Sequence, residues 1–244
     1  MLEVENVTKR FGGVTALDSV SLEIEEGTVS GLIGPNGAGK TVLFNVVTGH
    51  YRPEEGTVRF RGREITTEPT WKRARLGIAR GFQQLRIFGQ QTVLENLVMA
   101  ARPKQIRDNV RSVVASREYE ELEDRAHRIL AEIDMDEKAD DLAGELSFGQ
   151  QKLVQFGILL MLDPELIMLD EIMAGVNPRL SERMKEYVTE YNDRGTTFFI
   201  VEHDVPSIMQ LCDKVTVLNN GQRIAHAPPA SIRENQEVID AYLG

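Results

Sequence analysis

Apolar and polar positions follow a strand-like pattern at both ends of the chain and a helix-like pattern in its middle. Short apolar runs at residues 2–7, 19–24 and 28–33 are separated by turns, which predicts strands. From 93 to 133 the apolar spacing is helical, and Pro103 is the only helix breaker in that segment. We therefore expect a helical insert between two strand-containing segments.

Strands and helices alternate again after Pro164. The apolar run at 166–169 predicts a strand that is buried on both faces, and 196–201 predicts another apolar strand. The spacing of 179–194 between them predicts a helix. The sequence Asn219-Asn220-Gly221 is a strong signal for a hairpin turn. This alternation predicts an α/β fold with a mainly parallel sheet.

Three shorter segments carry local signals. The spacing of 41–47 predicts a helix, and residues 58–61, which precede a glycine, predict an edge hairpin. Ser231 and Glu234 have the spacing of a capping box, which predicts a helix at the C-terminal end.

Composition supports a folded domain and indicates its cellular compartment. Of the 244 residues, 41% are hydrophobic, and the net charge is −10. The single cysteine, Cys212, excludes an internal disulfide and favours the reducing cytosol. The longest apolar run, 153–162, is about half of what a bilayer-spanning helix needs, so it predicts a buried helix. The N-terminal residues lack the pattern of a secretion signal, and the acidic balance argues against nucleic acid as a partner.

Charge is distributed unevenly along the chain. Residues 59–86 hold eight basic and two acidic side chains, whereas 118–141 hold eleven acidic and three basic ones. Both stretches are compatible with solvated faces of helices and loops. The alternative for the basic stretch is a surface that docks onto another protein.

Residues 34–41 match the phosphate-loop pattern G-x-x-x-x-G-K-[ST], between an apolar strand and a helix. In such a loop, backbone N–H groups surround the phosphates, and the positive end of the following helix adds to their attraction. Lys40 is expected to reach the β- and γ-phosphates, and the Thr41 hydroxyl to bind Mg²⁺. The candidate nucleotide-binding residues of this segment are Gly34, Pro35, Asn36, Gly37, Ala38, Gly39, Lys40, Thr41 and Val42.

A second phosphate-side element is the apolar strand 166–169 followed by Asp170 and Glu171. A carboxylate at the carboxyl end of a strand can reach the Mg²⁺ shell, so Asp170 is a candidate metal ligand. Glu171 is placed to orient or deprotonate the attacking water.

The segment Leu146-Ser147-Phe148-Gly149-Gln150-Gln151 lies about twenty residues before Asp170. It resembles the signature motif of the ATP-binding cassette (ABC) ATPases, which separates them from other phosphate-loop proteins. Further landmarks of this family follow in order: Phe11 where adenine stacks, Gln83 of the Q-loop, 174–178 of the D-loop and His203 as the switch histidine.

From the residues alone, simpler roles stay open. Phe11 is also compatible with a core aromatic, and His203 with an ordinary loop histidine. Gln83 and Gln84 are ambiguous by one position, and either is compatible with a surface glutamine.

The resemblance implies a RecA-like phosphate-loop ATPase core with an N-terminal antiparallel β subdomain and an inserted α-helical subdomain. Residues 1–244 would then be a single ABC ATPase domain. Its catalytic core and β subdomain would comprise 1–88 and 159–244, and its helical signature subdomain 89–158.

The resemblance also implies ATP and Mg²⁺ as cofactors. It marks Glu171, His203 and Gln83 as catalytic residues, and Thr41, Gln83 and Asp170 as metal ligands.

Two cassettes of this family pack head to tail. Ser147, Gly149 and Gln150 would therefore bind the nucleotide of the partner cassette, and one chain alone would not complete a site.

Residues 77–83, 92–97 and 238–244 resemble the ATPases of branched-chain amino-acid importers, whereas 157–161 also resemble the sister urea and amide importers. The resemblance implies a second ABC ATPase, identical or related, and two membrane permease subunits as partners. A solute-binding protein would be an indirect partner. The chain would be cytoplasmic and peripheral on the inner face of the cell membrane.

Three residues depart from the family pattern: Ile172 replaces a usual proline, Val42 a frequent threonine or serine, and Phe148 the commoner glycine. None of these changes removes a residue assigned to the chemistry, so we expect an active cassette. The alternatives are the motor of a lipid or lipopolysaccharide exporter, a soluble ABC ATPase in metal-cluster assembly or nucleic-acid handling, and a degenerate nucleotide-binding regulator.

Overall fold

The computed structural model describes residues 1–81, 85–101 and 113–243. They divide into two compact units. Unit 1 comprises Met1–Arg80, Glu165–Ala174 and Val188–Gly244, and unit 2 comprises Gly81–Pro164 and Gly175–Tyr187.

The elements follow one another as strands, then helices, then alternating strands and helices. The first are β1 (Leu2–Phe11), β2 (Val14–Ile24), β3 (Val29–Ile33), α1 (Lys40–Val47), β4 (Glu55–Phe60), β5 (Arg63–Glu64), α2 (Thr70–Arg75) and β6 (Ile78–Gly81). The helical segment contains α3 (Val93–Ala101), α4 (Val113–Glu132) and α5 (Phe148–Met161). The last are β7 (Leu166–Asp170), α6 (Pro178–Asp193), β8 (Thr197–Val201), α7 (Val205–Leu211), β9 (Lys214–Asn219), β10 (Gln222–Ala227), α8 (Pro229–Arg233) and α9 (Gln236–Leu243).

One sheet of unit 1 is antiparallel, with the strand order β2-β1-β4-β5. Residues of β1 alternate between core and surface at its start, because only one face of this sheet packs on the core. The strand β5 is two residues long and lies at the edge, which confirms the edge hairpin. β1 continues to Phe11, beyond the predicted end at residue 7.

The other sheet of unit 1 has the order β10-β9-β3-β8-β7-β6. The pairs β3–β8, β3–β9 and β7–β8 are parallel, and β9–β10 is the predicted antiparallel hairpin. Every residue of β3, β7 and β8 is buried, which confirms that these strands are covered on both faces. The predicted α/β class is therefore confirmed.

The helix α1 lies in the core that both sheets of unit 1 share. Phe44 of α1 is fully buried, and its ring centroid lies 4.8 Å from that of Phe199 in β8. Burial of one such side chain stabilises the fold by about 1.5–3 kcal/mol. Aromatic packing against β8 thus holds α1, the helix that follows the phosphate loop.

The C-terminal end of α1 is held by a buried arginine. Arg73 is 2% exposed, and its NH1 group donates to the carbonyl oxygens of Val46 and Val47, both at 2.7 Å. Its other nitrogens donate to the carbonyls of Thr66 and Glu68. A guanidinium at this position satisfies carbonyls that a helix end leaves without intrahelical partners.

Unit 2 is built mainly from α3, α4 and α5, as the helical spacing predicted. These helices approach closely at Gly157, where an added Cβ would lie 3.0 Å from Ile133 and 3.4 Å from Leu97. Residues 153–157 of α5 are all buried, which confirms a core helix in this apolar run. In the described ranges, no helix is long and apolar enough to cross a membrane.

The predicted capping box at Ser231 and Glu234 is wrong. The helix α8 already begins at Pro229, and Glu234 lies at its C-terminal end. Proline is favoured in the first turn because its fixed φ is helical and it has no N–H to satisfy. The following helix α9 is capped by Asn235, whose Oδ1 accepts from the N–H of Glu237.

Candidate active site

The phosphate loop, residues 34–39, connects the buried strand β3 to the start of α1. Gly39 has φ = 102°, and a Cβ there would lie 2.6 Å from the carbonyl oxygen of Ala16. A Cβ at Gly34 would collide with the carbonyl oxygen of Leu218. Only glycine fits such close approaches to backbone, so neighbouring strands determine the loop's shape.

The Lys40 ammonium lies within this loop. Its Nζ donates to the carbonyl oxygens of Gly34 at 2.6 Å and Pro35 at 3.1 Å. Burial lowers the pKa of Lys40, and the negative charges of Glu171 and Asp170 oppose that shift. The loop thus holds a buried cation between its own carbonyls and the two carboxylates.

The two candidate carboxylates stand side by side at the end of β7 but have different partners. Asp170 is 6% exposed, and its Oδ2 accepts from NH2 of Arg80 at 2.6 Å. Glu171 is 8% exposed, and its Oε1 lies 2.7 Å from Nε2 of His203. One carboxylate therefore contacts an arginine, and the other a histidine imidazole.

Glu171 adopts a left-handed backbone conformation, with φ = 53°. This conformation is rare for a residue other than glycine and costs roughly 1–3 kcal/mol. The surrounding bonds hold it, since the Glu171 N–H donates to the Val201 carbonyl at 2.8 Å and its own carbonyl accepts from Ala174. Ile172, at the position of the usual proline, is fully buried, so core packing also holds this turn.

His203 reaches Glu171 because β7 and β8 are parallel neighbours. Asp170 pairs with Val201 at the ends of the two strands, and both loops leave the sheet at the same edge. The loops are also joined directly, as the Met173 N–H donates to Oε1 of Glu202 at 2.9 Å. The His203 side chain is 56% exposed, so its contact with Glu171 lies at the surface.

Phe11 lies at the end of β1 and is 42% exposed. Its ring meets that of Tyr51 edge to face, with 5.1 Å between centroids, and the Lys9 ammonium lies 5.2 Å from its centroid. An aromatic ring this exposed is not a core residue, and it offers a face for stacking.

The signature residues belong to unit 2 and form the N-terminus of α5. Ser147 and Gln150 make a capping box: Ser147 Oγ accepts from the Gln150 N–H at 3.4 Å, and Gln150 Oε1 accepts from the Ser147 N–H at 3.0 Å. A Cβ at Gly149 would lie 2.5 Å from Cδ2 of Leu180, so a larger residue here would have to displace the Leu180 side chain. Phe148 is 48% exposed.

The signature turn borders a cavity of about 930 Å³ within unit 2. The residues Gly175, Val176 and Asn177 of the predicted D-loop line the same cavity. Two motifs about 25 residues apart in the sequence thus share one concave surface.

The structure brings Lys40, Asp170, Glu171 and His203 together in unit 1. Gln83 and Gln84 lie outside the residues that the structure describes. Arg80, the partner of Asp170, belongs to none of the predicted site motifs. The available signal was a basic residue inside the short strand Ile78–Gly81, where a charge requires a partner if it is buried.

Two known protein families match parts of this sequence. A family described as "ABC transporter" matches residues 17–174, which is more than half of the chain. The chain belongs to the ABC transporter family. A second family, described as "Branched-chain amino acid ATP-binding cassette transporter", matches residues 222–244 of this ABC protein.

Relatives of this ABC protein are similar over its whole length. The high-affinity branched-chain amino acid transport ATP-binding protein LivG of Salmonella typhimurium is 38% identical over 250 residues, which cover 100% of this chain and 98% of LivG. BraF of Pseudomonas aeruginosa, described in the same words, has the same identity and coverage. A probable LivG of Archaeoglobus fulgidus is 39% identical over 247 residues, covering 100% and 95% of the two chains.

Solved structures confirm the ABC fold. A nucleotide-free ATP-binding cassette from an ABC transporter superimposes with a TM-score of 0.87 at 35% identity, covering 100% of this chain and 99% of the other. The ADP conformation of an ABC transporter cassette has a TM-score of 0.87 at 36% identity, covering 100% and 98%. The chain is therefore an ABC-type ATPase.

Proposed function

We propose that this ABC ATPase powers the import of branched-chain amino acids or a related small polar solute. The supporting observation is similarity to LivG and BraF over the whole chain. The C-terminal match at residues 222–244, a segment outside the general ABC match, supports the same class of transporter.

In the proposed site, ATP binds to the loop 34–41 in unit 1. Backbone N–H groups of the loop and of the start of α1 face the phosphates, and Lys40 supplies the positive charge. Val42 follows in the first turn of α1. Phe11 stacks on the adenine with its exposed ring.

Mg²⁺ is the proposed metal. It prefers oxygen ligands and is usually held by one or two protein groups together with phosphate oxygens. Thr41, which is exposed in the first turn of α1, and the Asp170 carboxylate supply such oxygens. When bound, the ion would neutralise charge on the transferring phosphate. Gln83 is proposed as a further ligand from the sequence motif alone.

Glu171 is the proposed group that orients and deprotonates the attacking water. The contact with His203 orients its carboxylate. His203 thereby serves as a positioning residue for the proton acceptor, and its exposed side allows it to respond to the γ-phosphate.

The signature residues Ser147, Gly149 and Gln150 are proposed to complete the site of a second cassette, identical or related. The capping box fixes the first turn of α5, so its N–H groups are presented as an anion-binding helix end. Two permease subunits, and indirectly a solute-binding protein, complete the proposed importer at the cytoplasmic face of the cell membrane.

Uptake of radiolabelled leucine by cells that lack this gene tests the proposal. Re-expression of the unaltered chain should restore uptake, whereas Glu171→Gln should not. Glucose uptake is the control and should be equal in all strains. The tagged chain should also co-purify from detergent-solubilised membranes with two permease subunits. Unchanged leucine uptake in the deletion strain, together with co-purification of exporter subunits, would contradict the import function.

A further inference from the structure

Arg80 lies on β6 in unit 1, and only 7% of its side chain is exposed. Its guanidinium donates to Asp170 Oδ2 at 2.6 Å, to Asn45 Oδ1 at 2.7 Å and to Thr48 Oγ1 at 3.2 Å. It also lies over the ring of Phe44, 5.6 Å from the centroid. One buried cation thus joins β6, α1 and the end of β7.

Arginine suits this position for a geometric reason. Its planar fork reaches acceptors on two different elements at once, and a lysine ammonium is a single point charge. Because Asn45 and Thr48 hold NH1 in place, NH2 is directed at one oxygen of Asp170. Arg80 therefore controls both the charge and the orientation of that carboxylate.

Arg80 and a divalent cation require the same partner. Asp170 is 6% exposed, and Arg80 already balances its negative charge. A second cation at the same carboxylate is repelled by the guanidinium, and the repulsion is strong because water is largely excluded there.

The neighbouring charges are balanced as well. The fixed cations Lys40 and Arg80 face the carboxylates Asp170 and Glu171, and the latter also contacts His203. A divalent ion added to this set needs further negative charge. The phosphates of a nucleotide supply it.

We propose that Arg80 is an internal counterion of Asp170 that excludes divalent metal from the site until a nucleoside triphosphate arrives with its own negative charge. This inference rests on the proposed role of Asp170 as a metal ligand. Arg80 acts through Asp170 and is thus a positioning residue.

The test is Mn²⁺ binding to the purified, nucleotide-free chain, measured by electron paramagnetic resonance. Arg80→Met should bind Mn²⁺ at least about tenfold more tightly than the unaltered chain, because Asp170 has lost its counterion. Arg80→Lys keeps the charge and should stay within about threefold of the unaltered chain. Arg61→Met is the matched control, since Arg61 pairs with Glu165 on the exposed surface of unit 1 and should not affect the metal.

A second neutral variant guards against misfolding. Arg80→Gln is also uncharged but keeps a polar side chain, and the same gain in Mn²⁺ affinity is expected. Thermal unfolding of each variant establishes that it is folded. Adding Asp170→Asn to either neutral variant should abolish the gain, because the carboxylate that binds the ion is then absent.

Equal or weaker Mn²⁺ binding by the folded Arg80→Met and Arg80→Gln variants would overturn the proposal. The metal site itself is tested separately, by adding ATP to the unaltered chain. If ATP does not promote Mn²⁺ binding, or if Asp170→Asn leaves that binding unchanged, the proposed metal role of Asp170 fails, whatever the Arg80 variants show.

Discussion

Two polar pairs, one in each unit, are built in opposite ways. Arg80 and Asp170 are 90 residues apart in the sequence, and both side chains are almost fully buried. Ser147 and Gln150 are three residues apart, and Ser147 is exposed. The first pair depends on the order of the strands in a sheet, whereas the second depends on a single helical turn.

The difference shows which interactions hold each half of the proposed ATP site: the Asp170 carboxylate in unit 1 and the signature turn in unit 2. A buried ion pair leaves an uncompensated charge when one partner is removed, whereas water can replace an exposed cap. The position of the Asp170 carboxylate in unit 1 thus depends on the fold that brings Arg80 beside it. The cap of the signature turn in unit 2 is made locally, by two side chains three residues apart.

The largest predicted loss concerns another buried arginine of unit 1. Arg73→Met removes the donors for four backbone carbonyls, two of them at the end of α1, so the free energy of unfolding should fall by about 3 kcal/mol or more. Chemical denaturation measures this loss. Arg75→Met is the matched control on the exposed side of α2, and it should change stability by less than about 0.5 kcal/mol. Equal losses would mean that burial of Arg73 does not govern its contribution.

Lys40→Met should lower ATP affinity by about 100-fold, since a charge-assisted contact to the phosphates is lost. Isothermal titration calorimetry on the purified chain gives the affinity. Lys214→Met removes an exposed lysine of the same unit, which pairs with Glu25, and should leave ATP affinity unchanged. A loss of less than tenfold would contradict the phosphate-binding role of Lys40.

Phe11→Ala should weaken ATP binding by about tenfold, the contribution of one base–aromatic stack. Val14 pairs with Phe11 across the β1–β2 hairpin and is 67% exposed, so Val14→Ala is a matched control that should bind ATP normally. A competition assay with a fluorescent ATP analogue compares the two. Equal affinities would remove Phe11 from the site.

The smallest predicted effect belongs to the local pair. Ser147→Ala should lower the free energy of unfolding by about 1 kcal/mol through loss of the helix cap. It should leave the ATP affinity of the isolated chain unchanged, because Ser147 is proposed to serve the partner's nucleotide. A loss as large as that of Arg73→Met would show that the signature turn is not locally determined.

Features set by residues close together in the sequence could be predicted from it, whereas contacts between distant residues mostly could not. The buried strands and the helical segment have local signals, and the structure confirms them. The phosphate-loop pattern is also local, and its segment lies between a strand and a helix as predicted. The contact between Glu171 and His203 follows from two motifs at the ends of parallel strands. A basic residue within the short strand β6 signals that Arg80 needs a partner if it is buried, but it does not identify Asp170, because that pairing arises only once β6 lies beside β7. Near Ser231 the sequence contains two signals for a helix start, the capping-box spacing and Pro229, and the helix begins at Pro229.

The most direct test of the role of Glu171 is the rate of ATP hydrolysis. It is measured on the complex of this chain with its membrane partners, with and without Glu171→Gln. We expect the variant to bind ATP with unchanged affinity and to hydrolyse it at least about 100-fold more slowly, because the group that accepts the water's proton is lost. Glu165→Gln alters an exposed carboxylate of the same unit and should retain full turnover. Full turnover by Glu171→Gln would contradict the assignment of Glu171 as that proton acceptor.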